Sequence, residues 1–254
     1  MTTCLIGYTG FIGTTLLRSN SYDLKINRAN ISELGRSNFE QVVCAGLPAE
    51  KWKANFEPER DLKNVEVLKL ALSKFHAKKF ILISTVDVYD LPVECDEDTQ
   101  DNVSTQPYGR HRLLLEDYVR QKFEQHLIIR LPALFGPGLK KNILYDLLNC
   151  NEVEKINSNS VFQWYPTSRL ASDMKHLEYI CFNGTINLCT EPLPTDELIE
   201  RCFPKLNIDT PFTPVIKYDV RTKFANLFHQ HGLYIESKEN SLEQIKTFTQ
   251  EYES

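Results

Sequence analysis

Near its start the chain reads TCLIGYTGFIG, and no other stretch narrows the possible folds as much. A short apolar run, Thr3–Ile6, leads into Gly7, Gly10 and Gly13 at three-residue spacing, and then into FIGTTLLRS, which has helical character. Each glycine has a mechanical use in a strand–turn–helix unit. Gly7 permits a tight turn, Gly10 lets the backbone approach a phosphate, and Gly13 lets the helix sit close on a sheet. The helix N-terminus then offers N–H groups and a positive dipole end to an anion. An ordinary glycine-rich turn is the plain alternative. The context favours a dinucleotide held by Gly7, Thr9, Gly10, Phe11, Ile12 and Gly13.

The same alternation continues. Residues 22–27 (YDLKIN), 41–46 (QVVCAG), 79–85 (KFILIST) and 126–131 (HLIIRL) read as strands. Residues 61–76 and 108–123 read as helices, the first with Leu62, Val65, Leu68 and Leu72 at helical spacing. Strands alternating with helices predict an α/β fold with a doubly wound, parallel, Rossmann-type sheet. After residue 132 the rhythm changes. NILYDLLN reads as a helix, residues 185–189 (TINLC) as a strand returning to the sheet, and the last forty residues as helical, closing with SLEQIKTFTQEY. The expected organisation is a dinucleotide-binding region over residues 1–132 and a small C-terminal substrate-binding lobe over residues 133–254. That lobe is expected over the carboxyl edge of the sheet, where ligands bind in open α/β folds.

Composition removes several function classes. Among 254 residues, 29 Lys and Arg face 34 Asp and Glu, a formal net charge of -5, so nucleic acid is not an expected partner. The seven cysteines are scattered without a C-x-x-C pair and read as reduced thiols. The six histidines show no metal-ligand spacing, so no metal is expected. No apolar run approaches the roughly 20 residues of a membrane span, and the N-terminus lacks the pattern of a secretory leader. The expectation is a cytoplasmic protein with no membrane partner. The acidic run DEDTQD, residues 96–101, reads as a solvated loop.

Two further stretches carry chemistry. At the end of the second strand, KINRAN places Asn27 where a carboxylate would bind the ribose hydroxyls of NAD, and Arg28 beside it. A guanidinium suits the extra phosphate of NADP, so NADP is favoured over NAD, with a solvated surface arginine as the plain reading. In YGRHR, Tyr108 and Arg112 are four apart and share a helix face. A phenol ionises near pH 10, and a fixed cation beside it lowers that value. Arg112 is therefore expected to make Tyr108 more acidic, although arginine cannot readily pass a proton onward. Thr85, at a strand end, adds a second hydrogen-bond donor for a developing alkoxide. His111 is expected to point away from this face, to the surface. Such a pair taken alone is commonly a solvated surface contact.

Three motifs then line up in order. FILISTVDVYD resembles SS-x-x-VYG, PYGRHRLLLE resembles PYG-x-SK-x-x-x-E, and LIIRLPALFGPG resembles LR-x-x-N-x-YGPG. These are motifs of the extended short-chain dehydrogenases/reductases, and the chain most resembles their NAD-dependent epimerase/dehydratase group, which modifies nucleotide sugars. The resemblance implies a catalytic Tyr108 acting as general acid/base, Thr85 at the active-site Ser or Thr, and Arg112 in place of the lysine. It also implies Ala45 and Gly46 along the adenosine side of the cofactor, Asn64 near it, and Leu131 and Pro132 beside the nicotinamide. Asp87 is a substrate-side candidate. Because only one carboxylate follows Thr85, a dehydratase, which uses Asp then Glu there, is disfavoured. Lys140, Lys141 and Arg169 are candidates for a nucleotide diphosphate, while Trp164 and Tyr165 are expected in the core. A homodimer through the two long helices is expected by analogy.

The implied activity is that of an NAD(P)-dependent 4-keto reductase or epimerase acting on a nucleotide-activated sugar. A cofactor-binding sensor or scaffold with little turnover is the rival reading, kept open by Arg112. Departures from the family pattern are a segment between Arg28 and Gln41 too short for a full third strand and helix, and TSRL, with Arg169 where an aspartate is typical.

Overall fold

Val42 and Val43 are adjacent and both buried, as are Phe80, Ile81 and Leu82. Runs of this kind cover both faces of a strand and belong in the middle of a parallel sheet. The computed structural model describes residues 2–35, 38–206, 208 and 214–253. In chain order its elements are β1 (Thr3–Ile6), α1 (Phe11–Ser19), β2 (Leu24–Ile26), β3 (Asn38–Cys44), α2 (Lys51–Phe56), α3 (Pro58–Leu72), β4 (His76–Thr85), β5 (Val93–Cys95), α4 (Pro107–Lys122) and β6 (His126–Leu131). They continue with β7 (Ala133–Phe135), α5 (Ile143–Asn149), β8 (Val161–Phe162), β9 (Trp164–Pro166), α6 (Leu170–Tyr179), β10 (Gly184–Asn187), β11 (Leu193–Pro194), α7 (Thr195–Cys202), β12 (Asp219–Val220) and α8 (Lys238–Glu253). The chain forms two compact units. The first runs to Leu91 and adds Gln100–Arg130 and Arg169–Ile186; the second comprises Pro92–Thr99, Leu131–Ser168 and the chain from Asn187.

The first unit is built on a six-stranded parallel sheet in the order β10-β6-β4-β3-β1-β2. This is the expected Rossmann-type arrangement. Cys4 lies between Leu24 of β2 and Val42 of β3, so the chain leaves β1 to one side and resumes on the other. Right-handed crossovers in opposite directions place α1 and α3 on opposite faces. Cys4, Ile6, Val42, Cys44, Phe80 and Leu82 meet Val65, Leu68 and Leu72 of α3 and Leu115 and Val119 of α4. Phe80 and Phe123 stack within this layer with ring centroids 4.2 Å apart. On the other face, Gln41 of β3 hydrogen-bonds Glu178 of α6. Among the described residues between Arg28 and β3 the regular element is a 3-10 turn, Ile31–Leu34, and the sheet ends at β2, as the short sequence there implied.

A buried ion pair joins three elements of this unit. Glu116 of α4 is wholly buried and accepts from Arg130 of β6 through Nη2 (2.6 Å) and Nε (3.1 Å). Ser84 of β4 (2.5 Å) and Arg120 (2.7 Å) also donate to it, and Arg130 Nη1 donates to the Tyr89 hydroxyl at 2.7 Å.

The second unit contains three two-stranded pairs, β5 with β12, β7 with β9 and β8 with β11. Trp164 and Tyr165 are fully buried in it, in keeping with a core role. The acidic run is not simply solvated. Glu97 accepts from the Asn187 backbone (2.8 Å), the Thr222 hydroxyl (2.6 Å) and the Lys223 backbone (3.0 Å), which staples three segments. The last forty residues are not uniformly helical. VIKYDV alternates with a period of two, and its end forms β12, so only α8 is a long helix there. Among the described residues no helix is long and apolar enough to cross a membrane.

Two stability measurements check this account. Glu116→Ala strands a buried guanidinium and is expected to lower the unfolding free energy in urea by about 3–5 kcal/mol, whereas a Glu116→Leu/Arg130→Met double replacement is expected to cost far less. Burial, with Cys44 beside it, pushes the Cys4 thiol from 9.0 up to about 12, and burial does the same to Cys44. A raised folded-state value means that this stability is complete below about pH 9 and is lost as the pH rises towards 12. The urea series should show that alkaline loss, and it should be shallower in Cys44→Ala.

Candidate active site

The glycine turn occupies the point where the strand order reverses. Gly7 N–H donates to Ile26 O of β2 at 2.7 Å, and Ala45 N–H donates to Ile6 O of β1 at 2.8 Å, so the ends of three strands converge there. Gly7 has φ 88°, and a Cβ on it would fall 2.2 Å from Ala45 O. A Cβ on Gly13 would fall 2.1 Å from Gly7 O. Both glycines are therefore demanded by the turn itself. Gly10 differs. A Cβ there would meet nothing closer than Gly7 O at 3.4 Å, and the residue is exposed at the N-cap of α1 without a side-chain cap. The polypeptide does not need a glycine at that position, but a phosphate approaching the helix N-terminus would. The cradle thus fits a dinucleotide's pyrophosphate.

The end of β2 closes one side. Asn27 donates through Nδ2 to the Tyr8 hydroxyl at 3.2 Å and accepts from Ala29 N–H at 2.8 Å. Arg28 Nη2 donates to Asn64 Oδ1 of α3 at 2.5 Å, which brings two of the expected cofactor residues together. Ala45 and Gly46 follow β3 directly and are half-buried and exposed. Leu131 and Pro132, at the end of β6, are buried.

Tyr108 sits in the first turn of α4, behind Pro107, whose fixed φ suits a helix start. Asn55 of α2 accepts the Tyr108 N–H at 2.9 Å. Gly109 lets the helix dock, since a Cβ there would lie 1.8 Å from Asp87 O. The Arg112 guanidinium carbon lies 4.0 Å from the centre of the Tyr108 ring, so it stacks on the ring face. Its donors go elsewhere, to the Asp61 carboxylate, to Pro48 O and, at 3.3 Å, to Tyr108 O. His111 Nδ1 hydrogen-bonds the same Asp61 oxygen at 2.8 Å.

Two expectations are corrected here. His111 is buried, because the Asp61 carboxylate draws it inward against α3. The Tyr108 phenol is pushed above its ordinary value, not below it. Burial raises it most, Arg112 works against that, and the Asp87 charge adds to the rise.

Thr85 caps the turn after β4. Its hydroxyl accepts from Asp87 N–H at 3.1 Å and donates to Asp87 Oδ2 at 3.3 Å. The other Asp87 oxygen pairs with Lys51 Nζ of α2 at 2.7 Å. The first unit therefore holds the glycine turn, Asn27, Arg28, Ala45, Gly46, Asn64, Thr85, Asp87, Tyr108 and Arg112. Arg169 is in that unit too and pairs with Asp173 at 3.3 Å, while Lys140 and Lys141 belong to the second unit and are exposed. Sequence reasoning missed Tyr8, Lys51, Asn55 and Asp61. Only Asp61 left a signal, since it lies three before Asn64 on one helix. Among the described residues no group of three or more His, Cys, Asp or Glu side chains is arranged to hold a metal.

Known structures share this fold at low identity. The dTDP-4-dehydrorhamnose reductase of Clostridium acetobutylicum is 14% identical with a TM-score of 0.75, covering 100% of both chains. The UDP-N-acetylglucosamine 4-epimerase of Methanobrevibacter ruminantium M1, solved with UDP-N-acetylmuramic acid, is 15% identical with a TM-score of 0.76, covering 98% of this chain and 97% of its own. The dTDP-4-dehydrorhamnose reductase of Bacillus anthracis, solved with NADP, is 17% identical with a TM-score of 0.73, covering 99% of this chain and 100% of its own. By sequence, no curated protein matches. The model of the NAD dependent epimerase/dehydratase family matches residues 22–160, more than half of the chain, and the protein belongs to that family of enzymes.

Proposed function

We propose that the protein is an NADP-preferring oxidoreductase that reduces a keto group on a nucleotide-activated sugar, with Tyr108 as the proton donor. The observation that carries this reading is the state of Tyr108. Its side chain is buried, and that burial, opposed by Arg112, pushes the phenol above its ordinary value. A neutral phenol suits proton donation to a carbonyl oxygen. An epimerase must first withdraw a proton from a sugar hydroxyl, which a raised phenol does poorly.

The residues divide the work by chemistry. Gly10 and the N-terminus of α1 would hold the pyrophosphate. Arg28, anchored on Asn64, favours a phosphorylated ribose. When bound, the reduced nicotinamide supplies a hydride to the carbonyl carbon. Tyr108 gives its hydroxyl proton to the carbonyl oxygen, and Thr85 turns its hydroxyl from Asp87 to the same oxygen. Arg112 keeps the phenol ring in place by stacking. Structures with this fold that were solved with NADP, with UDP-glucose, or with NAD and UDP are compatible with such ligands.

The engagement of Arg112 by Asp61 favours one rival, a cofactor-binding protein with little turnover. A panel of 4-keto nucleotide sugars with NADPH separates the two, since turnover is expected and binding without it across the panel favours the rival. Tyr108→Phe is expected to lower kcat by about 10²–10⁴ with an unchanged NADPH Kd; equal activity in that variant removes Tyr108 from the reaction. Arg28→Ala is expected to weaken NADPH by about tenfold or more while leaving NADH unchanged, read by calorimetry, because it removes a charge-assisted contact to phosphate.

A further inference from the structure

Asn27 turns one particular end of its side chain towards the glycine turn. Its Oδ1 accepts the Ala29 N–H at 2.8 Å, a local turn that uses the oxygen, and its own N–H donates to Asn30 Oδ1 at 2.8 Å. The amide nitrogen, Nδ2, is left facing the Tyr8 hydroxyl at 3.2 Å, and a nitrogen of this kind can only donate. A hydroxyl that accepts such a bond keeps its own proton for another acceptor. Among the described residues the Tyr8 hydroxyl gives that proton to no protein group.

The backbone explains how Tyr8 reaches this place. Gly7, which precedes it, donates to Ile26 O, and Ile26 precedes Asn27, so the glycine turn and the end of β2 are fastened side by side. Arg28 follows Asn27 directly. It commits Nη2 to Asn64 Oδ1 at 2.5 Å and pairs with no carboxylate among the described residues. The Glu33 carboxylate, in the 3-10 turn that follows, is bonded to Asn30 Nδ2 at 3.2 Å. Tyr8, Asn27 and Arg28 therefore present hydrogen-bond donors, with no anion bonded to any of the three. A carboxylate at the end of β2 suits ribose hydroxyls, whereas a set of donors suits phosphate oxygens.

We infer that Tyr8 is a specificity-determining residue for the cofactor: Asn27 directs the Tyr8 hydroxyl proton outward, and that proton is donated, beside Arg28, to the 2′-phosphate of NADP. The inference rests on the reading of the protein as NADP-preferring and adds to it a residue outside the strand end. Asn27 acts through Tyr8 by setting the direction of one hydrogen bond.

Calorimetry of NADPH and NADH binding to the full chain tests this. Tyr8→Phe keeps the ring and is expected to weaken NADPH by about tenfold, the loss of one hydrogen bond to a charged group, while leaving NADH unchanged. Asn27→Asp is expected to invert the preference, because a carboxylate repels the phosphate and accepts from ribose hydroxyls. Its one oxygen can still accept the Ala29 N–H, and the other draws the Tyr8 proton inward. Tyr8→Phe added to Asn27→Asp is therefore expected to change NADPH binding by less than about twofold, a coupling between the two positions. A pair that merely latched the glycine turn to β2 would instead lower the affinity for both cofactors. Equal losses of NADPH and NADH in Tyr8→Phe, or a preference for NADPH that survives it undiminished, overturn the inference alone. Equal affinity of the unsubstituted chain for NADPH and NADH overturns the NADP reading and the inference with it. Where Asn27→Asp binds neither cofactor, the Tyr8→Phe comparison decides.

Discussion

A buried carboxylate, Asp61, sets the terms for the rest of the site. A guanidinium buried under Tyr108 requires an anion beside it. Asp61 supplies that anion and receives His111 on the same oxygen. The contact joins α3 to α4, and the further bond from Arg112 to Pro48 O brings in the loop that follows β3. One interaction therefore fixes the helix bearing the phenol, the helix bearing Asn64 and the loop after the expected adenosine-lining residues. Its electrostatic consequence is equally direct. Arg112 opposes the rise of the phenol more than any other charge around it, and burial outweighs it.

This explains which parts of the molecule were legible in the sequence. The strand boundaries Thr3–Ile6 and His126–Leu131 and the helix Phe11–Ser19 coincide with their expected limits, because local periodicity and glycine placement define them. The helix read over 61–76 begins earlier, at Pro58, a start signal that the apolar spacing did not include. The six-residue α2 was invisible for a physical reason. Trp52 and Phe56, its large apolar residues, are exposed, so its hydrophobic pattern runs opposite to its packing. Lys51 and Asn55 went unnoticed with it. The inward turn of His111 was equally hidden, since it depends on a carboxylate 50 residues away.

The site also separates two reasons for keeping a small residue. Gly7, Gly13 and Gly109 are small because their own chain crowds them, with backbone oxygens within 2.2 Å of where a side chain would start. Gly10 has room for a side chain, with Gly7 O no nearer than 3.4 Å, so its smallness is of use to something other than the polypeptide. Spacing alone gave these four glycines no such ranking. The same contrast holds for the charged residues. Glu116 and Arg130 tie strands to a helix far inside the unit, whereas Lys51 pairs with Asp87 where solvent still reaches it.

The shortened segment after Arg28 leaves β2 as the sheet's outer margin. A strand at that place exposes unpaired backbone groups that could recruit a foreign chain. Here the margin is three residues long, Lys25 projects from its middle, and the preceding Asp23 carboxylate turns back to bind Thr3 N–H at 2.7 Å. Brevity and charge at that border disfavour edge-to-edge pairing with a second chain, so the same short segment that leaves β2 as the margin also leaves a margin poor at recruiting a partner strand.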